Sequence, residues 1–192
     1  MSRLFTFLVE GKFVIGFLAA AAAIFAWRSI SIGGYFVDDT FITFRYAKHL
    51  AEGLGLVWNI GEAPSEGFTS LLHLMLLALG KQLGMPLEIG TLLYSFVSLA
   101  CLVVCFLWLH KRLVGDIRIP AILLLACYLA DTHIAILATA GMETPLFLLL
   151  VFLTQVATIL LLTRPSARTA LFWFATGMLA LLGRPDAFFF LL

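Results

Sequence analysis

Long apolar runs separated by short polar segments dominate the chain. Five runs approach the roughly 20 residues that cross the hydrocarbon core of a bilayer, and they cover residues 13–30, 89–109, 119–140, 145–162 and 170–192. A sixth run, residues 69–79, ends before Gly80 and Lys81 and has the length of an interfacial or re-entrant helix. The pattern predicts an all-α, polytopic membrane helix bundle with about five transmembrane helices.

Residues 31–88 form the longest polar segment. The stretch "GGYFVDDTFITFRYAKHLAEG" predicts a helix over about 40–52, for which Asp38 or Asp39 is a suitable N-cap. Its polar side chains share one stripe, which indicates that the helix lies at the membrane surface: Arg45, Lys48, His49 and Glu52. With the second interfacial helix over 69–80, this segment is expected to form a loop of a single transmembrane domain, residues 1–192.

Composition supports a membrane protein. Hydrophobic residues make up 62% of the 192 residues and charged residues only 12%, far from the composition of a soluble domain. Membrane lipids are therefore expected partners. The net charge of +1, without a basic cluster, argues against a nucleic-acid partner.

The distribution of Lys and Arg predicts the orientation. If the helix over 69–80 does not cross the membrane and the N-terminus is cytoplasmic, seven of the 12 basic residues are cytoplasmic, whereas a crossing helix leaves only four there. The first arrangement also puts nine of the 11 acidic residues outside. We therefore expect a multi-pass protein of the bacterial plasma membrane, with residues 31–88 extracytoplasmic. A signal peptide is the alternative interpretation of the first apolar run.

Several polar groups are predicted to face one outer chamber. Asp38 and Asp39 are either a helix cap with a solvated neighbour or a general base or metal-binding pair. A divalent metal fits beside two carboxylates, although no His/Asp spacing demands one and no cofactor is certain. Further polar residues lie in a turn-rich segment, in "GMETP" and in "RPD": Asn59, Glu62, Glu66, Glu143, Arg184 and Asp186. A solvated connector and a simple Arg184–Asp186 ion pair are the alternatives without function.

Four segments together carry a family resemblance: "DDTFITFRYA", "GLVWNIGEAPSEGFTS", "GMETPLF" and "RPD". They resemble the GT-C-type membrane glycosyltransferases that use a polyprenyl-phosphate sugar donor, and especially the branch of the mycobacterial terminal arabinofuranosyltransferases. Ile60 replaces a usual Pro, and Phe68 replaces a usual Tyr. Members of this class usually continue for several more spans, so we expect the chain to correspond to an N-terminal part.

The resemblance implies transfer of a sugar to an acceptor hydroxyl of a cell-envelope glycan or lipid on the extracytoplasmic face. Asp38 or Asp39 would be the general base, and similarity to the class favours Asp38. The candidates for binding the donor phosphate are Arg45, Lys48 and Arg184. Residues that would bind sugar hydroxyls or position the loop are Asn59, Glu62, Glu66, Glu143 and Asp186.

Other functions stay open at this point. A transporter-like protein or a scaffold would use its intramembrane charges as a pathway or for packing. A transferase of acyl or phosphoethanolamine groups would need a nucleophilic Ser or Thr, or a His-based metal site, which four scattered histidines do not offer convincingly. An inactive fragment of a glycosyltransferase is a further alternative.

Overall fold

The computed structural model describes residues 16, 19–31, 35–115 and 119–191. Within these ranges all the regular structure is helical, which confirms the all-α prediction. The helices are α1 (Ala19–Ser31), α2 (Asp38–Ala51), α3 (Leu71–Gln82), α4 (Leu87–Val114), α5 (Ile119–Ala130), α6 (Thr132–Thr139), α7 (Thr144–Thr163), α8 (Ala167–Gly183), a 3-10 turn (Pro185–Ala187) and α9 (Phe188–Leu191).

Two of these helices are long and apolar enough to cross a membrane. They are α4, with 28 residues, and α7, with 20 residues. The bent pair of α5 and α6 makes a third candidate if the two helices act as one span. The described part of the chain therefore contains two or three candidate spans, where the apolar runs predicted about five.

The predicted span over 119–140 corresponds to two helices and not to one, because the helix breaks at Asp131. The Asp131 carboxylate accepts a hydrogen bond of 2.7 Å from the backbone N–H of His133 and caps α6, which lies 57° from the first half of the pair. The carbonyl of Ala130 accepts a hydrogen bond of 2.5 Å from Arg28, whose guanidinium also contacts the Thr132 hydroxyl. A carboxylate within an apolar run thus begins a new helix.

The predicted last span over 170–192 is also interrupted. Helix α8 ends at Gly183, and Arg184 adopts an extended backbone before the 3-10 turn that Pro185 begins. Proline lacks an N–H to continue the helical ladder, so the chain bends here. Of the predicted first span over 13–30, residues 13–15, 17 and 18 lie outside the described residues.

Helices occur at both predicted interfacial positions, as α2 and α3. They pack together through a buried cluster of Phe44, Tyr46, Ala47, Leu74, Leu77 and Ala78. His49, expected on the polar stripe of α2, is instead buried, and its Nδ1 lies 2.8 Å from the carbonyl of Val57. The loop after α2 folds back over the helix and covers this imidazole.

Contacts along the long helices show their directions. The Thr91 hydroxyl, in the first turns of α4, donates to the carbonyl of Gly141 just before α7, and Phe106 of α4 lies against Phe152 of α7. These two helices therefore run in the same direction. Helix α8 returns beside α7, because the Trp173 indole donates to the Thr158 hydroxyl.

The bundle consequently has two chemically different ends. The acidic end contains the starts of α2, α4 and α7 and the end of α8, with Asp38, Asp39, Glu143 and Asp186. The basic end contains the ends of α4 and α7 and the start of α8, with Lys111, Arg112, Arg164 and Arg168. Sequence segments that are far apart along the chain thus meet at the acidic end.

Candidate functional site

The start of α2 is docked on the turn that precedes α7. The backbone N–H of Val37 donates to the carbonyl of Ala140 at 3.1 Å, and the buried Thr40 hydroxyl donates to the same oxygen at 2.8 Å. Asp38 and Asp39 lie between these two anchoring residues. The aspartate pair is therefore held beside the "GMETP" segment.

The prediction that Asp38 or Asp39 caps α2 is wrong. Val37 occupies the N-cap position, and no side chain caps the helix. Both carboxylates lie in the first turn, exposed, where they complement the positive end of the helix dipole. Docking of Val37 on the Ala140 carbonyl starts the helix earlier than the local pattern indicates.

Asp38, rather than Asp39, shares a face of α2 with Arg45. The two residues are seven positions apart, which is close to two helical turns and about 10 Å along the axis. Asp39 is rotated by about 100° from Asp38 around the helix. A ligand along this exposed face would meet a carboxylate at one end and a guanidinium at the other.

Gly141 permits the close approach of the docking turn to α2. Its φ is +83°, and a Cβ atom here would lie 2.6 Å from both Phe36 Cδ1 and Thr40 Cγ2. Both the backbone conformation and the lack of space require glycine at this position.

A second buried hydrogen-bond chain fixes the same turn from the opposite side. The Thr91 hydroxyl donates to the carbonyl of Gly141 at 2.9 Å, and His73 Nε2 lies 3.2 Å from Thr91 Oγ1. Because the single hydroxyl proton of Thr91 is given to Gly141, His73 must donate through Nε2–H. Ser70 positions this histidine by capping α3 at the backbone N–H of His73.

Burial keeps His73 neutral. The side chain is only 2% exposed, and desolvation lowers the pKa of its imidazole from 6.5 to about 4. The Nε2–H tautomer is then available to Thr91 at neutral pH.

Sequence reasoning missed Thr40, His73 and Thr91. The available signal was the presence of polar side chains within apolar runs, where such groups need partners.

Glu143 and the "RPD" segment meet at the start of α7. The Glu143 side chain is 6% exposed, and Arg184 Nη1 lies 3.9 Å from its Oε1. Arg184 Nε donates to Asp186 Oδ1 at 3.1 Å, and the guanidinium lies over the Phe147 ring. The Arg184–Asp186 ion pair, one of the alternatives without function, is therefore present, and Arg184 already faces two carboxylates.

A separate chain of hydrogen bonds on the exposed side of α2 joins Arg45, Asn59 and Glu62. Arg45 donates to Asn59 Oδ1 at 2.8 Å, and Asn59 donates to Glu62 Oε1 at 2.9 Å. The guanidinium also lies 4.2 Å from the centre of the Trp58 ring. No ion pair joins Arg45 directly to a carboxylate within the described ranges, so its remaining N–H groups are available to an anion.

Lys48 and Glu66 lie outside the hydrogen-bonded clusters of Arg45 and Arg184. Lys48 lies 4.0 Å from the exposed Glu52 carboxylate, a weak surface pair. Glu66 is exposed, and no hydrogen bond or ion pair joins it to another described residue. The three predicted phosphate-binding cations therefore have different surroundings.

A metal site has little support from side-chain clustering. In the ranges that the structure describes, no group of three or more His, Cys, Asp or Glu side chains is placed to hold a metal ion. Asp38 and Asp39 would be the ligands from this chain beside the turn, and the metal stays a prediction.

Comparison with known proteins gives no independent assignment. No protein-family model matches the chain, and no curated protein or solved structure is significantly similar to it. A functional assignment therefore depends on the acidic end itself and on the resemblance of its motifs.

Proposed function

We propose that the acidic end transfers a sugar from a polyprenyl-phosphate donor to an acceptor hydroxyl of a cell-envelope glycan or lipid, as in GT-C-type glycosyltransferases. The supporting observation is that the turn before α7 contacts two distant segments of the resemblance. Ala140 accepts the hydrogen bond of Val37 beside the aspartate pair, and Glu143 lies by Arg184. A sugar transferase needs its catalytic base held in a fixed position by the surrounding structure.

Asp38 is the general base in this proposal. Its carboxylate is exposed and free of ion pairs with other described residues, so it is open to an incoming hydroxyl. The acceptor oxygen would attack the anomeric carbon as Asp38 takes its proton, and the polyprenyl phosphate would leave with the electrons of the broken bond. Asp39 lies on a different side of the helix and serves as a solvated neighbour.

Arg45 is the main phosphate-binding residue in this proposal. Its guanidinium is oriented by Asn59 and Trp58 and has no direct carboxylate partner in the described ranges. It can therefore form charge-assisted hydrogen bonds to the departing phosphate. Glu62 supports Asn59, and Lys48 adds a second, more mobile positive charge.

Arg184 and Glu143 have a positioning role rather than a direct role in phosphate binding. Both carboxylates near Arg184 reduce its attraction for an anion, and burial removes Glu143 from bulk solvent. The pair holds the turn on which α2 is docked. The exposed carboxylates of Asp186 and Glu66 can accept hydrogen bonds from sugar hydroxyls.

The proposal places the chain in the bacterial plasma membrane with a cytoplasmic N-terminus and an extracytoplasmic acidic end. Helices α4 and α7 would be spans, the bent α5–α6 pair a third, and α1 and α8 would complete about five. Support comes from the basic end, which collects four of the basic residues that the orientation assigns to the cytoplasm.

Release of polyprenyl phosphate tests this function without knowledge of the sugar. Membranes that contain the chain are incubated with a panel of polyprenyl-phosphate sugars, including an arabinofuranose donor, and with envelope acceptors. We expect acceptor-dependent release, lost in Asp38→Asn and retained in Lys81→Gln, a change at an exposed cation outside the site. Donor binding without release would support the inactive-fragment alternative. The absence of both donor binding and release would contradict the proposal.

One observation favours a second candidate, a transporter-like function. A discontinuous span with a charged residue at its break occurs in transporters, and the α5–α6 pair breaks at Asp131 with Arg28 beside it. This function predicts flux of a solute into proteoliposomes that Asp131→Asn abolishes. The glycosyltransferase proposal predicts that Asp131→Asn retains sugar transfer.

A further inference from the structure

Exposed cations gather at the basic end, and none of them forms an ion pair with a described acidic residue. Lys111 and Arg112 lie in the last turn of α4, Arg164 follows α7, and Arg168 lies in the first turn of α8. No ion pair joins any of them to a carboxylate within the described residues. In the sequence, Asp116 follows the segment 104–115, which itself has no Asp or Glu, and the segment 158–172 has none.

The basic end lies about one hydrocarbon thickness from the acidic end. From Thr91, which contacts the docking turn, to Lys111 there are about 20 residues of helix, or about 30 Å. Helix α7, with 20 residues, spans the same distance between Thr144 and Thr163. This is the thickness of the apolar core of a bilayer, so the two ends suit opposite membrane surfaces.

Local contacts position two of the segments that carry the basic side chains. The Arg112 guanidinium lies 5.4 Å from the centre of the Trp108 ring, and this tryptophan is 48% exposed. Ser166 and Thr169 form a reciprocal capping box that holds the turn between Arg164 and Arg168. An exposed tryptophan beside an arginine is typical of the interface between lipid tails and headgroups.

We propose that the basic end binds the headgroups of anionic phospholipids. Four cations without acidic partners among the described residues attract phosphate groups, while the apolar helices that carry them contact the acyl chains. The preference for anionic over zwitterionic lipid is electrostatic at an exposed surface, so salt weakens it. This surface lies at the opposite end of the bundle from the proposed transfer site, and its lipid is a resident partner and not the sugar donor.

Native mass spectrometry of the purified chain tests this proposal with phosphatidylglycerol and phosphatidylcholine as probes. The test variant is Lys111→Gln/Arg164→Gln/Arg168→Gln, which leaves the Arg112–Trp108 contact in place. The matched variant Lys81→Gln removes one exposed cation outside both the basic end and the proposed transfer site, and it is compared with the single change Arg168→Gln. A third variant, Lys111→Arg/Arg164→Lys/Arg168→Lys, keeps the charges and controls for folding.

Wild type, the matched variant and the charge-conserving variant are expected to prefer phosphatidylglycerol, and 0.5 M salt should reduce that preference. The test variant should lose about tenfold or more of it, because each basic residue near the surface adds to the attraction. Retention of the preference in the test variant, or an equal loss in the matched variant and in Arg168→Gln, overturns the proposal. Either result is independent of any sugar transfer.

Discussion

Arg184 lies 3.9 Å from the buried carboxylate of Glu143 and holds the end of α8 against the start of α7. Because Glu143 is nearly shielded from water, loss of the arginine leaves a buried charge without its counter-ion. We expect Arg184→Gln to lower the free energy of unfolding by about 1–3 kcal/mol. Thermal unfolding in detergent measures the effect.

The single variant Glu143→Gln and the double variant Glu143→Gln/Arg184→Gln complete a double-mutant cycle with Arg184→Gln. The double variant should recover much of the lost stability, because no uncompensated charge remains. Asp186→Asn, which changes the exposed partner of the same arginine, should cost less than about 1 kcal/mol. Strictly additive effects of the two changes at positions 143 and 184 would contradict the interaction.

Gly141→Ala should destabilise the acidic end strongly. The new Cβ meets Phe36 and Thr40 at 2.6 Å, and the backbone has a φ of +83°. We expect a loss of about 2–5 kcal/mol, since crowding adds to the backbone strain. Gly84→Ala is the matched control, because Gly84 has a φ of +87° but a Cβ atom there would meet no described atom within 4 Å. If both variants unfold at the same temperature, the docking contact is not as tight as described.

Thr91→Val should cost more stability than a similar change elsewhere. It removes the hydroxyl that links His73 to the Gly141 carbonyl and leaves both groups buried without this partner. A loss of about 2–4 kcal/mol is expected from two unsatisfied groups. Thr154→Val is the control, because its buried hydroxyl donates to the Leu150 carbonyl of its own helix and bonds to no other described residue. Equal unfolding temperatures of the two variants would argue against the buried chain.

Stability should fall in mild acid through His73. The unfolded chain binds a proton near pH 6.5, whereas burial lowers the pKa of folded His73 to about 4. The stabilising contribution is therefore complete above pH 6.5 and decreases as the pH falls towards 4, by roughly 3 kcal/mol in all.

The variant His73→Gln isolates this contribution. Glutamine can donate to Thr91 but does not titrate in this range. The difference in unfolding free energy between wild type and variant should shift in favour of the variant between pH 6.5 and 4. A difference that stays constant over that range would show that the imidazole is not buried in its neutral form.

Uninterrupted apolar runs predicted the longest helices well. The runs over 89–109 and 145–162 correspond to α4 and α7, because length and composition alone determine such helices. The helix breaks were not predictable in the same way. At the break before Asp131, the freed carbonyl of Ala130 accepts a hydrogen bond from Arg28, which lies 102 residues earlier in the sequence.

The candidate site was also predictable only in part. Side-chain chemistry identified Asp38, Arg45 and Glu143 as unusual in an apolar chain. Their partners depend on tertiary contacts, such as the docking of Val37 on the Ala140 carbonyl, which also displaced the predicted cap. The roles of Thr40, His73 and Thr91 became visible only once distant elements were brought together.

The most direct test of the proposed transfer site compares Asp38→Asn with Asp39→Asn in the assay of polyprenyl phosphate release. Both carboxylates are exposed in the first turn of α2, so both variants should fold like wild type, and thermal unfolding verifies this. We expect Asp38→Asn to reduce release by at least about a hundredfold, since a general base contributes 10²- to 10⁴-fold, and Asp39→Asn to retain most of it. Full activity in both variants would contradict an aspartate base at this end of the bundle.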